Sequence, residues 1–235
     1  MESIESRTVA ELAMEMPNAT RVFERLGIDY CCGGRKGLKE ACEAANVDAG
    51  DVIRELTASN QGGAESTAVD WRTKSLTELT QFILRRYHAD LKTELPALQT
   101  LADKVLSVHG ANHPELPAVR QLFTALKNEL DPHMLKEEEI LFPHIEGMED
   151  SDAASMPSCF GSIRDPIRMM MMEHDSAGDI LKKTRDVTRN YAVPSDACGS
   201  YRALMERLHR LEQELHEHIH LENNILFPGA IELEG

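Results

Sequence analysis

The sequence predicts an all-α protein in which a small helical domain precedes a four-helix bundle. Apolar residues recur at helical spacing along almost the whole chain, and the alternating runs typical of strands are hardly present. Residues 59–70 are small and polar without apolar periodicity, which is a linker composition. Four long amphipathic segments with short connections follow, as in helix bundles. We therefore predict a small domain over residues 1–58, a linker over 59–70 and a bundle over 71–235.

Short helices are predicted throughout the first domain. Between the second and third of them, the stretch Asp-Tyr-Cys-Cys-Gly-Gly at residues 29–34 has the composition of a turn. The signals for the helices are, in order, a cap at Thr8, an end at Gly27, a helix over 38–45, a cap at Asp48 and a helix over 51–56.

The bundle is predicted from four segments whose connections contain Gly, Pro or small polar residues. The second segment holds Pro132 near its end, where proline removes a helical hydrogen bond at a cost of about 3 kcal/mol. Both a kink that aims the following residue and a restart of the helix are compatible with this position. The four helices are predicted at about residues 75–109, 117–142, 165–190 and 195–227.

Composition excludes several classes of function. The 235 residues include 40 acidic and 25 basic side chains, and the formal net charge of −15 argues against a surface for nucleic acid or anionic membranes. No apolar stretch approaches the roughly 20 residues that span a bilayer. The N-terminus has no hydrophobic signal core, and five cysteines disfavour a disulfide framework. These features predict a cytoplasmic protein.

An internal repeat marks the candidate site. The second and fourth predicted helices end in the same motif, His-x3-Glu-x3-Leu-Phe-Pro, which begins at His133 and again 85 residues later at His218. The first and third helices each carry one related histidine, His88 and His174, which are 86 residues apart. The half-bundle therefore occurs twice, with its polar residues in matching places.

These polar residues fall on the apolar seams of the helices, where steps of three and four residues place the core. A buried carboxylate needs a partner, since an unpaired buried charge is very costly. Two such His/Glu pairs in one bundle predict a metal site. The seams run through Leu84, His88, Leu91 and Leu95; through Leu130, His133, Glu137 and Ile140; through Met170, His174 and Ala177; and through Leu215, His218, Glu222 and Ile225.

The types of ligand narrow the choice of metal. Four histidines and two bridging glutamates give each of two ions two nitrogen and two oxygen ligands, which suits iron, manganese or zinc. An oxo or hydroxo bridge would add a fifth ligand to each ion and leave room for a small molecule. This set favours a redox-capable iron pair over structural zinc, which prefers closed tetrahedral sites.

Two other metal templates fit less well. Carboxylate sites of the ferritin type place glutamate first, three residues before histidine, whereas here histidine comes first and the step is four. The segment His216-Glu217-His218-Ile219-His220 matches the zinc-protease motif H-E-x-x-H. That motif would use His216 and His220, but His218 is the residue on the seam, and the repeat has no second copy of the motif.

The adjacent thiols of Cys31 and Cys32 are a second candidate site. Adjacent cysteines cannot easily clamp one tetrahedral zinc ion. Their pKa values would fall if a helix N-terminus, Arg35 or Lys36 lay close, and they would then suit redox chemistry, metal handover or sulfur exchange. The alternative is that both are small packed residues.

Taken together, these motifs resemble the iron–sulfur cluster repair di-iron proteins, also called the repair-of-iron-centres family. Members couple a domain bearing D-Y-C-C-G-G to a hemerythrin-like four-helix bundle, and the match spans essentially the whole chain. The matching segments are residues 29–34, Arg86-Tyr87-His88, Glu173-His174-Asp175 and the two L-F-P motifs. The resemblance implies that the iron ligands are His88, His133, Glu137, His174, His218 and Glu222.

The resemblance also implies a function. Such a protein restores iron–sulfur clusters damaged by nitric oxide or peroxide, and its partners are damaged or apo iron–sulfur proteins, with nitric oxide, dioxygen or peroxide as small ligands. Cys31 and Cys32 would help to deliver iron or contact the client. A hemerythrin-type carrier or sensor, and a nitric oxide reductase or oxidase, are the alternatives. Turnover, stoichiometric iron donation and a homodimer are all compatible with the sequence.

Overall fold

The regular structure of the chain is helical, which confirms the all-α prediction. The computed structural model describes residues 4–16, 18–60, 69–149 and 161–235. Within these ranges the helices are joined by turns and irregular segments, and the one β-type pairing is an isolated bridge, Thr8 to Gly37. In the same ranges, no helix combines the length and the apolar character that crossing a membrane requires. The first helices are α1 (Val9–Glu15), α2 (Ala19–Leu26), α3 (Leu38–Ala45) and α4 (Ala49–Asn60).

The later helices follow the four predicted segments. Those of the first two are α5 (Leu76–Ile83), α6 (Ala89–His109), α7 (Leu116–Lys136) and α8 (Phe142–Glu149). Those of the last two are α9 (Arg164–Val187), α10 (Gly199–Leu221) and α11 (Phe227–Glu234).

The chain divides into two compact units. One unit comprises Met1–Leu79 together with His216–Gly235, and the other comprises Thr80–Leu215. Residues 61–68 of the predicted linker lie outside the described residues. The domain boundaries derived from the sequence stay a prediction.

The capping residues of the N-terminal helices stand where the sequence predicts them, but α4 runs over Ala49–Asn60 and is longer than the predicted 51–56. The Thr8 side chain accepts the backbone N–H of Glu11, whose carboxylate accepts the N–H of Thr8, so a capping box starts α1. Gly27 ends α2 in the left-handed conformation, with φ at 68°. The Asp48 carboxylate accepts the N–H of Asp51 near the start of α4. Local capping chemistry therefore sets these boundaries.

The unit Thr80–Leu215 is itself a four-helix bundle. Its core is a continuous cluster of buried apolar side chains contributed by α6, α7, α9 and the part of α10 before His216. The largest fully buried side chains in this cluster include Phe123, Tyr201 and Leu95. Pro132 lies inside α7, which runs without a break from Leu116 to Lys136, so the helix does not restart there.

Three π-helical turns interrupt the described α-helices, at Leu84–His88, Glu137–Leu141 and Glu222–Leu226. In each, the next backbone N–H bonds five residues back: that of Phe142 to the Glu137 carbonyl, and that of Phe227 to the Glu222 carbonyl. The proline of each L-F-P motif follows at once. Proline has no N–H to donate and therefore interrupts the α-helical hydrogen bonds. The π turn lies directly before this interruption.

The π turns shift the seam by one residue, which corrects the heptad prediction. Ile140 is 44% exposed, whereas Leu141 is only 2% exposed. In the second copy Leu226 is fully buried in place of Ile225, and in the first helix Ile83 is buried in place of Leu84. A π turn holds one residue more than an α turn, so the inward position moves by one.

The helices also continue beyond their predicted ends. The second and fourth segments were expected to stop at residues 142 and 227, but α8 extends to Glu149 and α11 to Glu234. Pro143 and Pro228 stand at the second position of these helices, directly after a π turn, where the α-helical hydrogen bonds are already interrupted.

The seam correction predicts a difference in stability between two neighbouring side chains. Leu141→Ala should lower the free energy of unfolding by about 2–5 kcal/mol because it opens a cavity in the core. Ile140→Ala should change it by less than about 1 kcal/mol because the side chain is largely exposed. Urea denaturation measures the free energy of unfolding of both variants. A larger loss for Ile140→Ala than for Leu141→Ala would contradict the corrected seam and favour the uninterrupted heptad pattern.

One histidine links two loops at the end of this bundle. The Nδ1 atom of His113 lies 3.0 Å from a carboxylate oxygen of Glu115, and its Nε2 atom lies 3.3 Å from a carboxylate oxygen of Asp196. Burial disfavours the charged imidazole, but the hydrogen bonds to the two carboxylates outweigh it and raise the pKa of His113. The imidazolium form therefore joins the α6–α7 and α9–α10 connections.

This raised pKa predicts that stability depends on pH through His113. A group whose pKa is higher in the folded state stabilises the fold below its unfolded pKa, and that contribution is lost as pH rises through the folded pKa. The Tm difference between wild type and His113→Gln should therefore be larger at pH 5.5 than at pH 8.5. Asp196→Asn should reproduce part of the same pattern, and an equal Tm difference at both pH values would contradict it.

Candidate metal centre

Four of the six predicted ligands cluster within the unit Thr80–Leu215. His88, His133, Glu137 and His174 are each at most 3% exposed. One Glu137 oxygen lies 3.4 Å from Nε2 of His88 and 3.3 Å from Nε2 of His133. The Nε2 atoms of His133 and His174 are 3.1 Å apart. The donor atoms of His133, Glu137 and His174 all lie within 4.8 Å of one another, which is compact enough to bind one ion.

The three consecutive glutamates at residues 137–139 differ in burial. Glu137 is fully buried, Glu138 is half-buried and Glu139 is exposed. Glu137 is also the first residue of its π turn, and His88 is the last residue of the first π turn. Because π turns often occur at functional sites, their coincidence with donor residues supports the seam assignment.

Carboxylates orient two of the histidines through the Nδ1 atoms of their rings. The Nδ1 atom of His88 lies 3.0 Å from Glu138, and Nδ1 of His133 lies 2.8 Å from Glu173. A carboxylate that accepts the Nδ1 proton leaves the Nε2 lone pair free to face a metal, which is the usual arrangement around histidine ligands. The sequence did not single out Glu138 for this role, although its position beside Glu137 was a signal.

Each of these carboxylates is also paired with a lysine. The Lys92 ammonium donates to Glu138 at 2.6 Å, and the Lys136 ammonium donates to Glu173. Burial alone would raise the pKa of Glu173, but hydrogen bonds from Lys136 and His133 prevail and hold the pKa of that carboxyl below its ordinary value. Glu173 is therefore an ionised acceptor rather than a solvated surface charge.

The other two predicted ligands lie in the second copy of the motif, in the unit that contains His216–Gly235. His218 and Glu222 are both buried, and Nε2 of His218 lies 2.9 Å from a Glu222 carboxylate oxygen. Glu222 begins the third π turn, as Glu137 begins the second, 85 residues earlier. The duplication therefore extends from sequence to backbone conformation.

The two histidines of the H-E-x-x-H pattern contact α2 and the loop that follows it. His216 Nδ1 lies 2.7 Å from Glu24, and His220 Nδ1 lies 3.3 Å from the Tyr30 carbonyl oxygen. Burial lowers the pKa of His220 to about 4, so its ring is neutral. Among the described residues these histidines join no group of possible metal ligands.

The D-Y-C-C-G-G segment folds around the carboxylate of Asp29. One of its oxygens accepts the backbone N–H groups of Cys31 and Cys32, at 3.1 and 3.0 Å, and the other accepts the N–H of Gly33 at 2.9 Å. A Cβ atom on Gly33 would lie 2.9 Å from that second oxygen. Asp29 thus caps the loop through three backbone N–H groups, and a side chain at position 33 would crowd its carboxylate.

The two cysteines of this loop differ in environment. Cys31 is buried and Cys32 is half-buried, and their sulfur atoms are 3.8 Å apart. The hydrogen bond to Cys32 and burial raise the pKa of the Cys31 thiol. Asp29, Cys31 and Cys32 offer donor atoms within 4.8 Å of one another.

Known protein families match both parts of the chain. Residues 79–230 match the hemerythrin HHE cation binding domain family, and residues 5–60 match ScdA_N, a domain of unknown function. The probable iron-sulfur cluster repair protein of Haemophilus influenzae is 38% identical over 229 residues, which are 97% of this chain and 98% of the relative. The iron-sulfur cluster repair protein YtfE of Citrobacter koseri is 36% identical over 230 residues, again 97% and 98% of the two chains. YtfE of Yersinia pseudotuberculosis is 37% identical over 227 residues, 96% of this chain and 97% of the relative.

Proposed function

We propose that this chain, which belongs to the family of hemerythrin-like iron–sulfur cluster repair proteins, repairs damaged clusters through a two-iron centre. The clients are iron–sulfur proteins of the cytoplasm damaged by nitric oxide or peroxide. The proposed ligands are the six residues selected from the sequence: His88, His133, Glu137, His174, His218 and Glu222.

The observation that carries the proposal is the chemistry of the buried donors. Four buried imidazoles and two buried carboxylates would be strongly unfavourable without a cation to compensate them. Imidazole nitrogen together with carboxylate oxygen suits iron, and the duplicated His-x3-Glu motif provides one carboxylate to bridge from each half. An oxo or hydroxo group between the ions would complete the centre.

The protein's part in the chemistry is to hold the metal ligands in place and to orient their rings. Glu138 and Glu173 hold the Nδ1 protons of His88 and His133, so that each Nε2 lone pair faces inward. The surrounding apolar core excludes water. Iron bound there supplies redox chemistry and a binding position for nitric oxide, dioxygen or peroxide, and it is also the cargo that a damaged cluster could receive.

The cysteine loop is proposed to take part in the transfer step. Cys32 is half-buried beside the buried Cys31, and the two thiols and the Asp29 carboxylate are close enough to contact one soft ion. We place iron handover or contact with the client at this pair.

A repair assay tests the function. A [4Fe–4S] enzyme inactivated by nitric oxide should regain activity with the iron-loaded protein and not with the apoprotein. Glu222→Leu should bind less iron than the two ions of wild type, lose the absorption of a bridged pair and fail to repair. Metal analysis, absorption spectra and recovered client activity measure these outcomes.

Equal repair by apoprotein and iron-loaded protein would show that the function does not depend on bound iron. Metal analysis that finds one zinc ion per chain would contradict the two-iron centre. Cys31→Ala/Cys32→Ala should keep the iron content but impair repair. Unchanged repair would leave these cysteines as packing residues.

The carboxylate behind His88 can be tested separately. Glu138→Ala should weaken iron binding by about 10–100-fold, because the His88 ring loses the group that fixes its orientation. The adjacent variant Glu139→Ala removes an exposed carboxylate of the same charge and is the matched control. Chelator competition gives both affinities; equal affinities would show that Glu138 does not position the ligand.

A further inference from the structure

We propose that His220 and Asn224 act as a clamp that holds the Cys31–Cys32 loop in place and keeps Cys31 out of solvent. His220 lies inside the second His-x3-Glu motif and Asn224 follows it, and neither is among the proposed iron ligands. The inference deepens the role proposed above for the cysteine pair.

Asn224 makes the central contacts. Its side-chain amide donates to the Cys31 carbonyl oxygen at 3.1 Å and to the Tyr30 carbonyl oxygen at 3.3 Å. The same amide nitrogen lies 3.0 Å from Nδ1 of His220. Asn224 thus bonds to the backbone at the cysteine itself and at the residue before it.

Shape reinforces these hydrogen bonds. A Cβ atom on Gly34 would lie 2.5 Å from the Asn224 side-chain oxygen and 2.8 Å from the Tyr30 carbonyl oxygen, so only glycine fits under the clamp. The Tyr30 ring is 1% exposed and packs edge-on against His220, with ring centroids 5.4 Å apart. The second glycine of D-Y-C-C-G-G is therefore required by a residue almost 200 positions away in sequence.

The duplication shows that the clamp is an addition to the repeated helix. An offset of 85 residues places Leu135 and Glu139 where the second copy has His220 and Asn224. Leu135 and Glu139 are both exposed, whereas His220 is buried and Asn224 is half-buried. The two copies share the inward ligands but differ on this outer face. The difference coincides with the contacts to the cysteine loop.

The clamp has a chemical consequence. Cys31 is 4% exposed while its carbonyl oxygen is held by Asn224. A reagent, an ion or a client cluster can reach this sulfur only after the loop leaves the clamp. Asn224 is thus a positioning residue that controls access to the thiol without touching the sulfur.

Thiol alkylation of the full-length, iron-loaded protein tests the clamp. The tryptic peptide 26–35 carries Cys31 and Cys32, and the peptide 40–54 carries Cys42, which is fully buried in the same domain. Asn224→Asp keeps the shape but replaces the donating amide with a second acceptor. N-ethylmaleimide should then doubly label peptide 26–35 about tenfold faster than in wild type, the factor expected from losing two hydrogen bonds. Peptide 40–54 should keep its wild-type rate.

Two further variants serve as a second disruption of the clamp and as a control. Gly34→Ala pushes the loop away from the clamp from the opposite side and should raise the same labelling rate. Glu139→Ala changes the equivalent position of the first copy and should leave both peptides at the wild-type rate.

Unchanged double labelling of peptide 26–35 in Asn224→Asp and Gly34→Ala would overturn the proposal. So would a parallel rise in both peptides, because it would show that these residues hold the whole domain rather than the loop. Labelling involves no client protein, so a failed repair assay would leave this result intact, and iron analysis of each variant keeps the two questions separate.

Discussion

A carboxylate enclosed by imidazoles inside a helical core is the interaction around which the bundle is organised. Glu137 is fully buried, with Nε2 atoms of His88 and His133 at 3.4 and 3.3 Å. Removing such a group from water costs several kcal/mol unless nearby charges and hydrogen bonds compensate it. Glu138 and Glu173 orient the histidines around it, and lysines neutralise those two outer carboxylates. The metal ions proposed above would compensate the charge of Glu137 itself. An apolar seam fixes the helices rigidly enough to hold this arrangement.

Much of the fold could be predicted from sequence because helical periodicity and duplication report the same seam independently. His133 and His218 were identified because each falls on a seam and the two match at a fixed offset. The π turns could not be read this way, since one extra residue leaves composition and average periodicity almost unchanged. Ile140 and Leu141 are both apolar, and only the backbone hydrogen bond from Phe142 to Glu137 decides which one faces the core.

The limits of motif reading are clearest where tertiary contacts decide the role of a residue. His216 and His220 are four residues apart, and this spacing places them on one face of a helix whatever that face meets. A zinc ion is one possible neighbour; here the neighbours are Glu24 and Tyr30. The D-Y-C-C-G-G segment predicted a turn correctly, but the reason for its second glycine lies in Asn224, which no local pattern reveals.

The paired π turns also restrict the length of the chain. One residue corresponds to about 100° of rotation in an α-helix, so each extra residue sets the direction in which the following helix presents its side chains. Removing a residue from Glu137–Leu141 or Glu222–Leu226 would rotate α8 or α11 about its own axis, even if every remaining side chain were unchanged. In these two segments the number of residues is therefore constrained as strictly as their identity, and insertions or deletions should be tolerated less than substitutions at their exposed positions.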